Sequence, residues 1–303
     1  MDLPRLHGIV PPLATPLNDD RTIDTAALAR LVEFQIRAGV HGLWILGTTA
    51  RFDLIADSSL RQVAETAAAS ASGRVPLVLN VSDMGTDRTL ARARMYDDLP
   101  YDFYAVLPPW YLPMTHTEVT DYYHELADRL ARPLVIYNAP WICNQLGFDH
   151  LRKLAEHPRI VGCKDVGPSL SRTLDWTHTD RRRADFSYLH GTDLVAVSAE
   201  LGSDGFVTAL ANPLPELAVA LWDAVRGDDA ERAFRLQSQF NRLARATGFG
   251  PMHACLEAMC RHRGLLRHML PAPLRSLDAE TSRNVADVMD SVGVLPEPVK
   301  ELI

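Results

Sequence analysis

Cysteine is scarce in this chain, with four in 303 residues at Cys143, Cys163, Cys255 and Cys260. None forms a C-x-x-C pair, so neither a zinc site nor a disulfide framework is indicated. Isolated cysteines in apolar surroundings are usually small core residues, and a reducing cytoplasm suits them. Positive charge is short as well. Thirty-one Lys and Arg stand against 38 Asp and Glu, a net charge of −7, which argues against a nucleic-acid surface or a basic membrane-binding face. The basic run Arg181, Arg182, Arg183 has no interleaved aromatics and reads as a solvated loop. No apolar run approaches about eighteen residues, so no transmembrane helix is predicted. The opening MDLPRLHGIV has no charged segment followed by an apolar stretch, so no signal peptide is predicted either. Neither G-x-G-x-x-G nor G-x-x-x-x-G-K-[ST] follows any apolar run, which makes a Rossmann-type open sheet a weak reading. The eleven histidines show no H-E-x-x-H or paired ligand spacing, so no metal is predicted.

What the chain does have is alternation. Short apolar runs bounded by Gly or Pro occur at 8–16, 42–47, 76–82, 103–109, 133–140, 160–166, 186–193 and 205–210. Their length and β-branched or aromatic content mark buried strands. Amphipathic stretches lie between them, at 25–38, 58–72, 86–97, 116–131, 148–156, 168–178 and 192–201. In the first, Leu28, Leu31, Val32 and Ile36 form one stripe, with Asp24 or Thr25 as cap and Gly39 as stop. Strands buried on both faces and alternating with helices imply parallel pairing. Eight such units predict an α/β chain with a (β/α)8 TIM barrel over 1–226, closed by a helix at 213–226. Helical patterns at 228–246, 251–263 and 278–292 predict a C-terminal helical extension over 227–303, packed on the barrel.

Catalysis in such a barrel sits at the C-terminal strand ends. Strand two ends in Gly47-Thr48-Thr49, strand five in Tyr137-Asn138-Ala139-Pro140, strand six in Lys164-Asp165 and strand seven in His190-Gly191-Thr192-Asp193. An amine at the mouth of an apolar barrel is desolvated, and the neutral amine so favoured attacks carbonyls. A strand-end lysine can equally reach water or pair with Asp165. A phenol on the neighbouring strand suits proton transfer, although Tyr137 alone also reads as a core tyrosine. The Gly-Thr-Thr turn can hold a carboxylate on backbone N–H groups and relay a proton through a hydroxyl, or can simply cap the next helix. His190 and Asp193 read as structural.

These elements together resemble the dihydrodipicolinate synthase / N-acetylneuraminate lyase family of class I pyruvate aldolases. The matching segments are G-I-V-P-P-L-A-T-P at 8–16, G-T-T at 47–49, Y-N-A-P at 137–140, G-C-K-D at 162–165, G-T-D at 191–193 and G-S-D-G-F-V-T at 202–208. They span Gly8 to about Leu277. The resemblance implies an imine between Lys164 and pyruvate, with Tyr137 as general acid/base and Thr48 in a proton relay. It implies that Gly47 and Thr49 bind the pyruvate carboxylate and that Val207 flanks the bound acid. It also implies a homotetramer built as a dimer of dimers, with no cofactor and no metal.

Departures from the family pattern gather on one side. Ala50-Arg51 replaces the usual Gly-Glu, placing Arg51 at the mouth. Ile142 stands where synthases carry an arginine for the second substrate. Pro109-Trp110-Tyr111 replaces a tyrosine pair that lends a relay phenol to the neighbouring subunit, and Asn80-Val81-Ser82 replaces a G-T-G turn. Dihydrodipicolinate synthesis is therefore not the expected reaction. The pyruvate half is kept, while Trp110, Tyr111, Trp141 and Arg51 wall a second-substrate half suited to a less charged or aromatic aldehyde. The expectation is a lyase joining or cleaving a 2-oxo acid and an aldehyde. Two alternatives stay open: a dehydratase of a 3-deoxy-2-oxo sugar acid using the same imine, and a non-catalytic barrel that only binds a 2-oxo acid.

Overall fold

The computed structural model describes residues 4–167, 169–178, 183–191 and 193–292. Arg181, Arg182 and Thr192 lie outside the described residues. Eight strands form one parallel sheet: β1 (Gly8–Ile9), β2 (Leu43–Ile45), β3 (Leu77–Asn80), β4 (Phe103–Val106), β5 (Leu134–Asn138), β6 (Ile160–Asp165), β7 (Ser187–His190) and β8 (Gly205–Phe206). They run in the order β1-β8-β7-β6-β5-β4-β3-β2. The ring closes between β1 and β2 through single backbone bonds, Trp44 N–H to the Pro11 carbonyl and Leu13 N–H to the Trp44 carbonyl, both 2.9 Å. The expected first strand shrinks to two residues because Pro11 and Pro12 have no N–H to give a ladder. At the β1–β8 seam the backbones touch. A Cβ on Gly205 would stand 2.4 Å from the Gly8 carbonyl oxygen, so only glycine fits there.

Helices alternate with the strands: α1 (Thr25–Arg37), α2 (Asp57–Ala71), α3 (Thr86–Arg94), α4 (His116–Arg129), α5 (Phe148–Leu154), α6 (Leu170–Thr177), α7 (Val195–Glu200) and α8 (Pro215–Arg226). The chemistry of their ends follows the sequence. The Asp24 carboxylate accepts from Ala27 N–H at the start of α1, and Thr115 with Glu118 makes a capping box on α4. The core is continuous through the barrel and the inner faces of the helices, with Trp44, Tyr104, Phe103 and Phe206 fully buried. The fold is therefore a (β/α)8 TIM barrel followed by helices α9 (Ala230–Ala246), α10 (Met252–His262) and α11 (Ala279–Ser291). α9 packs on α7 and α8, and α11 packs on α9 and α10. Among the described residues no helix is long and apolar enough to cross a membrane.

Candidate active site

The pairing register sets Tyr137 on β5 beside Lys164 on β6, and Asn138 beside Asp165. Successive strand residues point to opposite faces, so Lys164 and Asp165 cannot share a side. The buried Asp165 carboxylate accepts from Asn138 Nδ2 and the Tyr188 hydroxyl at 2.9 Å and from Gly167 N–H at 3.1 Å. The Arg172 guanidinium stands 2.8 Å from it. Asp165 thus ties the ends of β5, β6 and β7 together and does not neutralise Lys164.

Lys164 is 4% exposed, with no carboxylate at ion-pair distance among the described residues. Its Nζ lies 4.0 Å from the centroid of the Tyr137 ring and 5.1 Å from that of Trp44. Desolvation holds its pKa down at about 7, so at neutral pH a large share of the amine carries a lone pair. Tyr137 is also buried, and burial pushes its pKa up to about 12. It is therefore a neutral phenol that can donate a proton. Its hydroxyl lies 3.1 Å from Thr48 Oγ1.

Thr48 and Thr49 sit in a single 3-10 turn, Thr48–Ala50, that follows β2. A Cβ on Gly47 would come within 3.1 Å of the Trp44 ring, so a small residue lets this turn fold down over the indole. From the far side, His253 Nε2 meets the Thr48 carbonyl at 3.0 Å. The turn is thus held from β2 below and from α10 above.

Two cavities open here. The first, about 270 Å³, is lined by Lys164, Tyr137, Thr48, Thr49, Val207 and Asp193 among others. The sequence reads Asp193 as structural, yet it faces the amine's cavity. Its carboxylate accepts from the Thr208 hydroxyl at 3.1 Å, and burial raises its pKa from the ordinary value. His190 stays out of the cavity, with Nδ1 2.8 Å from the Ser198 hydroxyl. The second cavity, about 380 Å³, is lined by Arg51, Phe52, Trp110, Trp141, Ile142 and His253, with Thr48 and Met252 at its edge. Arg51 adopts a left-handed φ of 53°. Its guanidinium makes a two-point pair with Asp53 at 2.9 and 2.7 Å.

Of the residues singled out in the sequence, Lys164, Tyr137, Thr48, Thr49, Val207 and Trp141 therefore line the first cavity. Gly47 stands behind the turn, and Arg51 and Trp110 line the second cavity. Tyr111 lines neither: it is 87% exposed, with a left-handed φ of 85°. The helical extension contributes Thr247, Met252, His253 and Leu256, none of which the sequence points to. Among the described residues no group of three or more His, Cys, Asp or Glu stands close enough to hold a metal ion.

A parallel barrel with a buried amine at the end of strand six and a phenol on strand five is an arrangement that can carry carbonyl chemistry. The chain belongs to the dihydrodipicolinate synthetase family, which it matches over residues 5–292. It is 31% identical over 295 residues to an uncharacterized DapA-like lyase of Halobacterium salinarum, covering 96% of this chain and 95% of that protein. It is 30% identical over 240 residues to an N-acetylneuraminate lyase of Rhizobium meliloti, covering 79% of each chain. The solved structure of dihydrodipicolinate synthase from Bacteroides thetaiotaomicron superposes with a TM-score of 0.90 at 28% identity, over 96% of this chain and 100% of that one. Lyases thus recur among the proteins it is similar to.

Proposed function

We propose that this protein is a Schiff-base-forming lyase that joins or cleaves pyruvate, or a related 2-oxo acid, and an aldehyde, and that it is not a dihydrodipicolinate synthase. The observation that carries this is the buried Lys164 amine against the Tyr137 ring, with the Tyr137 hydroxyl 3.1 Å from Thr48. The neutral amine adds to C2 of the 2-oxo acid. Tyr137 donates to the carbonyl oxygen as the carbinolamine forms, and loss of water leaves the imine. The Tyr137 phenolate left by that donation takes a C3 proton to give the enamine, whose C3 bonds to the aldehyde carbon while the aldehyde oxygen takes the proton back from Tyr137. Water then releases the product and restores the amine. Thr49 and the backbone after Gly47 hold the carboxylate, Thr48 passes protons to and from Tyr137, and Val207 packs on the acid.

The second cavity argues against an aldehyde with its own carboxylate. Ile142 and Trp141 stand where an anion would need a cation, and Arg51 is already engaged by Asp53. An aldehyde with an apolar or aromatic body suits walls made of Trp110, Trp141 and Phe52. A homo-oligomer belongs to the same proposal, and Tyr111, 87% exposed and turned away from its own site, is available to its contacts. Thr247, Met252, His253 and Leu256 of the helical extension complete the mouth.

A second reading draws on Asp193. Burial raises the pKa of this carboxyl in the amine's cavity, and in its protonated form it can donate to a substrate hydroxyl, which favours dehydration of a 3-deoxy-2-oxo sugar acid on the same imine. Product analysis separates the two, since one yields an aldehyde and the other yields water with the carbon chain intact. Borohydride reduction with pyruvate, followed by peptide mass spectrometry, tests both. A pyruvyl adduct on Lys164 is expected. A folded protein with no adduct would leave only a barrel that binds 2-oxo acids without turning them over.

A further inference from the structure

The second cavity has apolar and aromatic walls and a self-paired Arg51–Asp53 couple. His253, on α10, lines it as well. Its Nε2 lies 3.0 Å from the Thr48 carbonyl. A carbonyl only accepts, so Nε2 must carry the ring proton, and the neutral ring then has its lone pair on Nδ1. Among the described residues nothing bonds to that Nδ1. Burial lowers the pKa of the ring, and the Arg51 charge lowers it further, against the pull of the Thr48 carbonyl and of Asp53. The neutral form therefore persists at neutral pH, and a ring that lines the cavity carries an acceptor nitrogen with a tautomer fixed by the backbone.

We infer that His253 reads the second substrate, and that this substrate is an aldehyde with a flat apolar body and a hydroxyl that donates to His253 Nδ1. This rests on the reading of Lys164 as the imine-forming amine. It adds which groups the partner aldehyde must carry. The bond that fixes the tautomer also pins Thr48, whose hydroxyl meets Tyr137, so the same ring couples occupancy of the second cavity to the proton relay in the first. His253 is thus a specificity residue towards the aldehyde and a positioning residue towards Tyr137. The chain reaches this arrangement across 205 residues of sequence separation.

Calorimetric titration of the full chain, with and without saturating pyruvate, tests this with benzaldehyde, 3-hydroxybenzaldehyde and 4-hydroxybenzaldehyde as probes. At least one hydroxylated probe is expected to bind about tenfold tighter than benzaldehyde, the worth of one hydrogen bond in a desolvated site. His253→Phe keeps a ring in place and is expected to bring that ratio close to one. Equal binding of all three probes, no binding of any, or a ratio that survives His253→Phe would overturn the inference. Should His253→Phe not fold, nitrogen NMR of the wild-type imidazole decides the same question: Nδ1 must be unprotonated and must shift only with the hydroxylated probe. Trapping of pyruvate on wild-type Lys164 is scored separately, so a failed imine and a failed hydroxyl preference are told apart.

Discussion

The first cavity is walled by strand ends and by the turn after β2, and its polar groups answer one another: Lys164 against Tyr137, Tyr137 against Thr48, Asp193 against Thr208. The second is walled by Arg51, Phe52 and Asp53 just beyond that same turn, by the loops after β4 and β5 and by α10, with indole, phenyl and isoleucine surfaces around one ion pair and one histidine. The two share Thr48, Trp141 and Met252. Strands locked into a closed sheet hold reacting atoms to within the small tolerances that chemistry demands, whereas loops and an added helix tolerate replacement. On the proposed reading of Lys164 as the reacting amine, the difference teaches that a barrel can keep its chemistry while the part that would choose the partner is rebuilt. It also explains why the family's pattern is kept at Lys164 and Tyr137 and lost at Arg51, Trp110 and Ile142.

The sharpest way to break the comparison is to remove the amine. Lys164→Ala should abolish both the borohydride-trapped adduct and turnover while the protein stays folded. Residual turnover would move the chemistry elsewhere. The same amine makes the wild-type reaction depend on pH. Its folded pKa, about 7, lies below the ordinary 10.5, so the nucleophilic fraction grows as pH rises through 7, and the initial trapping rate should rise with it and level off above. The stability sign is the same: between those two values the unfolded chain binds the extra proton, so stability rises with pH across that window. Lys164→Met should flatten this dependence in denaturant titrations, and an unchanged slope would refute the depressed pKa.

Next in size is the phenol. Tyr137→Phe keeps the ring against the amine but removes the proton donor, and should lower turnover by roughly 10²–10⁴-fold. Some adduct should still be trapped, since the amine remains neutral. A rate near wild type would transfer the acid role, with Asp193 the next candidate in the same cavity.

Most of the first cavity is legible in the sequence because its members end apolar runs. A residue that closes a buried strand in a parallel barrel faces the mouth or the helix layer, and the Tyr-Asn and Lys-Asp pairs at the ends of β5 and β6 carry one of each. The helices are legible too, from Leu28, Leu31 and Val32 on one stripe and from the cap at Asp24. What escapes is the part made by tertiary contact. His253 and Met252 belong to a helix with its own amphipathic pattern, and nothing local says that its first turn meets a carbonyl 205 residues away. Asp193 escapes because a lone carboxylate at a strand end carries no sign of which side it faces. Tyr111 shows the opposite limit, since its place in the motif points to the site while its own backbone turns it outward.

On the second side the effects should be smaller and confined to the aldehyde. Trp110 packs edge-on against Phe52, with centroids 6.2 Å apart, and forms much of the apolar wall. Trp110→Ala should raise KM for the aldehyde by about tenfold or more, in line with the loss of a buried aromatic contact. The rate of pyruvate trapping should change by less than about threefold. If trapping falls in parallel, the two cavities are one mechanical unit and the division drawn between them fails.

Arg51 is expected to give the smallest effect, and for a reason that its charge hides. A cation at the mouth of a site for acids invites a role in holding a second carboxylate. Its Nε–Nη2 edge is instead held by both oxygens of Asp53, at 2.9 and 2.7 Å, so an incoming anion would meet a cation whose charge a carboxylate already balances. Surface pairs of this kind contribute little to stability, about 0–1 kcal/mol. Arg51→Met should therefore leave melting nearly unchanged and shift kcat/KM for an uncharged aldehyde by no more than a few fold. With a carboxylated aldehyde the wild type and the variant should perform equally poorly. A selective loss of activity towards the carboxylated substrate in Arg51→Met would show that Asp53 yields to substrate. The second cavity would then be a site for acids that merely looks apolar when empty.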